Sequence, residues 1–140
     1  MKKFLCLVAV ILILMGLRLA DNGLSGLSLP RGARLEVHRV SGVEEMSYGD
    51  APLLSRWGEH LGQRVDFLGG YSEVSGVLRQ LNAREVRRER VGVDGEVLVI
   101  YAMSWRLRGR TNEQWGDFNI MIAVRGNRVA VGYPVLLGSF

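Results

Sequence analysis

The sequence predicts an α+β fold: an antiparallel sheet whose elements run strand, helix, four strands, preceded by an apolar N-terminal leader helix. Three observations lead there. The first twenty residues, MKKFLCLVAVILILMGLRLA, hold no charge between Lys3 and Arg18. Val74, Val77, Leu78 and Leu81 fall at i, i+3, i+4 and i+7, the spacing of one helix face. The last third of the chain alternates apolar and polar or small residues around short glycine turns, as antiparallel strands do. The chain divides into a signal peptide or membrane anchor at 1–20, a linker at 21–32 and a single α+β domain at 33–140.

The elements follow in order. Residues 21–32 (DNGLSGLSLPRG) have no period and read as a spacer. Residues 34–40 alternate Leu35 and Val37 with Glu36 and His38, a first strand; 41–49 reads as loop. Residues 51–61 suit a first helix. Asp50 is placed to cap it and Pro52 sits in its first turn. Leu53, Leu54, Trp57 and Leu61 share one face, and Gly62 ends it. Residues 64–68 (RVDFL) make a short strand, broken by Gly69-Gly70. Ser72 is expected to cap the second helix and Asn82 to end it, and Gly76 inside it suggests a strand passing close by.

Four strands come next. In residues 84–91 (REVRRERV) only Val86 and Val91 are apolar, which suits a solvated edge strand. Arg88 and Arg90 then share one face, Arg87 and Glu89 the other. Gly92-Val93-Asp94-Gly95 turns the chain. Residues 97–103 are almost wholly apolar, as in a strand covered on both faces. Residues 118–124 and 129–133 form a hairpin around Gly126-Asn127. That turn pairs Arg125 with Arg128, Val124 with Val129, Ile122 with Val131 and Ile120 with Tyr133. Phe118 extends the same apolar face. The opposite face carries Met121, Ala123, Ala130 and Gly132, small or pliant residues that leave room for a close neighbour. Pro134 ends the pairing.

The leader sets the expected location. Lys2 and Lys3 precede fourteen uncharged, largely apolar residues, 4–17, the pattern of a secretory signal. As a helix this run is roughly 21 Å long, against a hydrocarbon core of roughly 30 Å. The rest of the chain is therefore expected to work outside the cytoplasm, at the outer face of the cell membrane or secreted. Small residues at −3 and −1 occur at Gly23-Leu24-Ser25 and Gly26-Leu27-Ser28, whereas a cut after Ala20 puts Arg18 at −3. Retention, with 4–17 in the membrane and Arg18 reaching to the headgroups, is the alternative.

Both lysines lie in the leader and every later base is arginine. From Gly26 onward fifteen Arg face thirteen Asp and Glu, so the domain is far less basic than a whole-chain pI of 9.7 implies. This balance and the acid-rich edge strand argue against nucleic acid as a partner. The only cysteine, Cys6, lies in the leader. The domain then has no disulfide and no thiol chemistry.

The C-terminal region resembles the YwmB-like family of exported proteins from spore-forming Gram-positive bacteria. The residues that carry the resemblance are Asn119-Ile120-Met121-Ile122-Ala123, Val131-Gly132-Tyr133-Pro134-Val135 and the terminal Phe140. The strand, helix, four-strand order is likewise similar to the TATA-box-binding-protein-like fold associated with that family. The resemblance spans about twenty-five residues and implies export, a link to sporulation and a fold, with no known chemistry attached.

Chemical motifs are few. His38 and His60 lie in different elements and lack metal-ligand spacing, so no metal or cofactor is expected. No GxSxG or SxxK serine motif occurs, and Glu44-Glu45 lies in loop-like sequence. Gly69-Gly70 before a helix lacks the lysine and glycines of a phosphate loop and reads as a turn. The strongest surface candidate is the loop 106–116 (RLRGRTNEQWG). It places Arg106, Arg108 and Arg110 between Trp105 and Trp115, the residue types that dominate binding hot spots. These five residues are the expected binding site, and no catalytic set is expected. The expected function is a non-enzymatic exported or tethered domain that binds a protein or an anionic envelope component. The alternative is a cell-envelope hydrolase or another enzyme without a recognisable catalytic set.

Overall fold

A computed structural model describes residues 1–20, 23–48, 61–107 and 117–138. Seven strands form one antiparallel sheet: β1 (Arg34–Arg39), β2 (Gly42–Ser47), β3 (Gly62–Leu68), β4 (Ala83–Val91), β5 (Val97–Ser104), β6 (Ile120–Arg125) and β7 (Arg128–Tyr133). Their spatial order is β2-β1-β3-β7-β6-β5-β4. Helix α1 spans Lys2–Ala20 and helix α2 spans Tyr71–Gln80. The chain leaves β3 through α2, crosses to the far edge of the sheet at β4, and returns strand by strand until β7 pairs with β3.

The inner face of the sheet is the main core. Leu35, Val37, Val65, Phe67, Ile100, Ala102, Ile120, Ile122, Val129 and Val131 are all buried there. Helix α2 covers them with Val74 and Val77, followed by Leu81 just past its end. Each such side chain gives about 1.5–3 kcal/mol on burial, so this face dominates the fold's stability. The hairpin register follows the turn: Arg125 opposes Arg128, Val124 opposes Val129 and Ile122 opposes Val131. Gly126 has φ +59 with open space around its Cβ position, so the turn conformation alone requires glycine there.

The second face of the sheet is divided. Over β5 and β6, Val97, Val99, Tyr101, Phe118 and Ala123 form a smaller cluster with Met121, Val135 and Leu136. The small residues of the hairpin thus do receive a close neighbour, the chain's own segment after β7. A Cβ on Gly132 would lie 2.3 Å from the Leu136 Cα. Over β1 and β3 the same face is charged. Arg64 is buried, gripping both carboxylate oxygens of Asp66 at 2.8 Å and donating to the Leu137 carbonyl at 3.0 Å.

Several local expectations need correction. Residues 41–49 contain β2 rather than a loop. As an edge strand β2 buries almost nothing, so its hydrogen bonds to β1 leave no apolar alternation to read. Helix α2 is capped by Gly70 rather than Ser72: the Gly70 N–H donates to Glu73 Oε2 at 2.7 Å, and the Ser72 hydroxyl donates to the same oxygen. Among the described residues, nothing lies within 4 Å of the position a Cβ on Gly76 would take. Phe118 lies on the outer face with Tyr101, not with Ile120, because β6 begins only at Ile120 and strand alternation does not carry back through Asn119. Gly62 opens β3, and its Cβ position would crowd the Tyr133 carbonyl at 2.9 Å. The helix expected at 51–61 and His60 fall outside the described residues, save Leu61, which is exposed.

The segment read as a spacer is packed. Gly23–Gly26 forms a 3-10 helix, and Leu24 and Leu27 are buried in the main core. Side chains from three places hold its backbone. Gln63 Oε1 accepts from the Leu24 N–H at 2.8 Å. The Tyr48 hydroxyl donates to the Leu24 carbonyl and accepts from the Leu27 N–H at 2.6 Å. The Gln80 amide both accepts from and donates to Ser28.

By contrast, the side chains described in α1 are exposed, among them Phe4, Leu5, Leu12 and Ile13, and neither core cluster contains any of them. Among the described residues, no helix is long and apolar enough to cross a membrane.

Candidate functional site

The expected binding loop begins where β5 ends, and a buried polar cluster fixes its root. Ser104 and Asn119 are both fully buried. The Ser104 N–H donates to Asn119 Oδ1 at 2.7 Å, and Asn119 Nδ2 donates back to the Ser104 carbonyl at 2.9 Å. The same amide reaches the Leu107 carbonyl at 3.3 Å, which also accepts from the Tyr133 hydroxyl at 3.2 Å. The Ser104 hydroxyl donates to the Leu81 carbonyl. A buried polar group without a partner costs about 1–3 kcal/mol, so this closed set of bonds holds the chain at Ser104 and again at Leu107. Leu107 is itself buried in the main core.

Between those two anchors lie Trp105 and Arg106, both exposed. Trp105 is 57% exposed. It borders an open depression of about 360 Å³ with Arg84, Glu85, Val86, Met103 and Asp117. Arg106 folds back over the end of α2, where its guanidinium donates to the Gln80 carbonyl at 3.0 Å. A cation on the last carbonyls of a helix is favourable, so Arg106 has a structural partner as well as an exposed position. Arg108, Arg110 and Trp115 lie outside the described residues.

The arginines of β4 are engaged in surface pairs. Arg87 stacks over the Tyr101 ring at 4.2 Å, and the Tyr101 hydroxyl donates to Glu89, which raises the tyrosine pKa. Arg88 holds Glu85 at 2.5 Å and the Tyr71 hydroxyl at 2.9 Å, and its hydrogen bond pushes the Glu85 carboxyl below its usual range. Arg90 donates to the Gly95 carbonyl at 3.3 Å, and the Arg84 side chain has neither an ion-pair nor a hydrogen-bond partner among the described residues. This strand edge is a solvated surface whose two glutamates partly offset its four arginines.

No catalytic arrangement emerges among the described residues. His38 Nε2 lies 3.3 Å from Glu36, two residues away on the same strand face, with no nucleophile on either group. Among the described residues, no three His, Cys, Asp or Glu side chains converge to hold a metal ion. Cys6 is exposed on α1. The residues that matter most here and that sequence reasoning did not single out are Ser104, Gln63 and Arg64. Their only advance signal is a polar residue at a position facing the core or inside an otherwise apolar strand. No family model matches the chain, and no curated protein or solved structure shows significant similarity to it.

Proposed function

We propose that the chain is an exported, non-enzymatic envelope domain that binds a protein or an anionic envelope component through the surface around Trp105 and Arg106. The observation that carries export is the contrast between α1 and the domain. The domain closes its core with its own residues, down to Leu24, while the apolar side chains of α1 from Phe4 to Leu14 stay exposed. Such a row is costly in water and suited to an apolar acceptor such as a translocation channel or membrane. Its length fits the apolar region of a secretory signal, and the Lys2-Lys3 pair precedes it as that signal requires.

The binding reading is supported by a rigidly rooted, exposed Trp105 beside an open depression, in a loop rich in arginine. The strand, helix, four-strand order from β3 onward supports the resemblance to the TATA-box-binding-protein-like fold and the YwmB-like family, and with it a role in spore-forming bacteria. Nucleic acid is not the partner proposed, because a fold does not carry its best-known function with it. The test is to fuse residues 1–32 to a reporter active only outside the cytoplasm. Activity is expected, and a silent reporter with normal expression rejects export.

A further inference from the structure

We propose a second site, at the opposite end of the sheet, that binds a phosphate group between Arg31, Arg34 and Arg128. These three side chains border one open depression of about 250 Å³, lying where β1 begins, β3 ends and β7 begins. Three distant stretches of sequence bring them together. Arg31 precedes the Gly32 turn, Arg34 opens β1 opposite Asp66, and Arg128 opens β7 opposite Leu68. All three are exposed.

Their charge is poorly compensated. Among the described residues Asp66 is the one acid lining the depression, and Arg64 already occupies both of its oxygens. Arg34 shares a contact with Glu45 at 2.8 Å. Neither Arg31 nor Arg128 has an acidic or hydrogen-bonding partner among the described residues. The depression thus presents two uncommitted guanidinium groups and one half-committed one over a neutralised floor.

The choice of ligand follows from donor count and size. One carboxylate satisfies a single guanidinium fork with its two oxygens. Three forks around one hollow require more acceptor oxygens, which a phosphate supplies. A volume of about 250 Å³ is small for a drug-sized ligand and suits a headgroup-sized anion. Arginine is also the side chain best matched to phosphate geometry. The phosphate could come from a soluble ester or from a lipid headgroup, and the chemistry of recognition is shared.

The site lies at the far end of the strands from Trp105, so its failure and that of the first proposal are separable. The test uses the full chain in neutral detergent micelles, titrated with pyrophosphate by calorimetry. The Arg31→Ala/Arg128→Ala variant is compared with Arg79→Ala/Arg90→Ala, which removes two exposed charges elsewhere. Circular dichroism checks that both remain folded. Saturable binding is expected, weakened about tenfold or more in the first variant and less than about twofold in the second. Co-sedimentation with phosphatidylglycerol vesicles, corrected for phosphatidylcholine vesicles to remove the contribution of α1, identifies the source. Loss of that increment in the first variant assigns a lipid headgroup; an unchanged increment alongside weakened pyrophosphate binding assigns a soluble phosphate. The proposal is overturned if both variants weaken binding equally. It is also overturned if the first variant changes neither pyrophosphate binding nor the vesicle increment.

Discussion

The side-chain amide of Asn119 pairs with both backbone polar groups of Ser104, accepting from its N–H at 2.7 Å and donating to its carbonyl at 2.9 Å. One side chain thereby replaces a missing strand neighbour just where β5 stops and the Trp105 loop begins. Both residues are fully buried, so water cannot take over the role.

Asn119→Ala is therefore expected to destabilise the chain strongly. It leaves the Ser104 N–H and carbonyl without the amide, at about 1–3 kcal/mol for each buried group. A total loss of about 3 kcal/mol or more is expected in urea unfolding. Asn119→Asp loses the donor to two carbonyls and should not rescue it. A loss under about 1 kcal/mol would show that the amide is not what anchors the loop.

The approach of the last segment to β7 gives a second prediction. Gly132→Ala places a Cβ 2.3 Å from the Leu136 Cα and 2.5 Å from the Val135 carbonyl, both backbone atoms that cannot swing aside. The segment must shift, at about 1–3 kcal/mol. Arg64 should then loosen its hold on the Leu137 carbonyl, and amide exchange at 135–138 should accelerate. Gly76→Ala, which meets nothing, is expected to stabilise α2 by up to about 1 kcal/mol. Equal effects from the two substitutions would contradict this packing.

The cap of α2 makes stability depend on pH in a defined direction. Hydrogen bonds from the Gly70 N–H, then the Ser72 hydroxyl, hold the Glu73 carboxyl below its ordinary value of 4.5. A carboxyl with a depressed folded pKa stabilises the fold above its unfolded pKa, and that contribution fades as pH falls through the folded value. Wild type is expected to lose stability below pH 4.5 faster than Glu73→Gln, whose amide oxygen can accept the same bonds at any pH. Thermal unfolding at pH 3 and pH 6 measures the difference. Parallel pH curves would remove Glu73 from the acid response.

Strands that bury one face were legible, because alternation and turns fix them: β1, β3 and the β6–β7 hairpin with its register. The apolar run of β5 was legible for the opposite reason, since both its faces are covered. β2 was not, because an edge strand such as GVEEMS is held by backbone bonds that no side-chain pattern reports. The packing of Leu24 and Leu27 was hidden for a related reason. The twelve-residue segment around them has no period, and the side chains that hold its backbone, Tyr48, Gln63 and Gln80, lie 21, 39 and 52 residues from Leu27, Leu24 and Ser28. At the candidate site, Trp105 and Arg106 were singled out from composition, whereas the Asn119 clamp beside them depends on contacts between strands.

Trp105 and the loop arginines should separate binding from folding. Trp105 is exposed, so Trp105→Ala is expected to change stability by under about 1 kcal/mol while weakening partner capture from an envelope fraction. Replacing Arg106, Arg108 and Arg110 together by Ala should weaken capture of an anionic partner in a salt-dependent way, since exposed charges are screened over roughly 8–10 Å. Arg106→Ala alone also removes the bond to the Gln80 carbonyl and should cost a little helix stability. An unchanged set of captured partners from the folded triple variant eliminates the loop.

If α1 is the cleavable leader proposed above, the packed segment after it restricts where the cut can fall. Cleavage after Ser25 would remove Leu24, which is fully buried, with its N–H on Gln63 and its carbonyl on Tyr48. Cleavage after Ser28 would also remove Leu27 and the pairing of Ser28 with Gln80. Losing one buried leucine costs about 2–5 kcal/mol, a large share of a domain's roughly 5–15 kcal/mol. Both sites with well-placed small residues are thus the ones the fold disfavours. Under the proposed export, the mature chain is expected to begin at or before Gly23, either intact or cut near the end of α1. N-terminal sequencing and intact mass of the protein from the envelope or medium check this. A mature chain that starts at Gly26 or Leu29 and unfolds at the same temperature as the full chain would show that Leu24 does not belong to the working core.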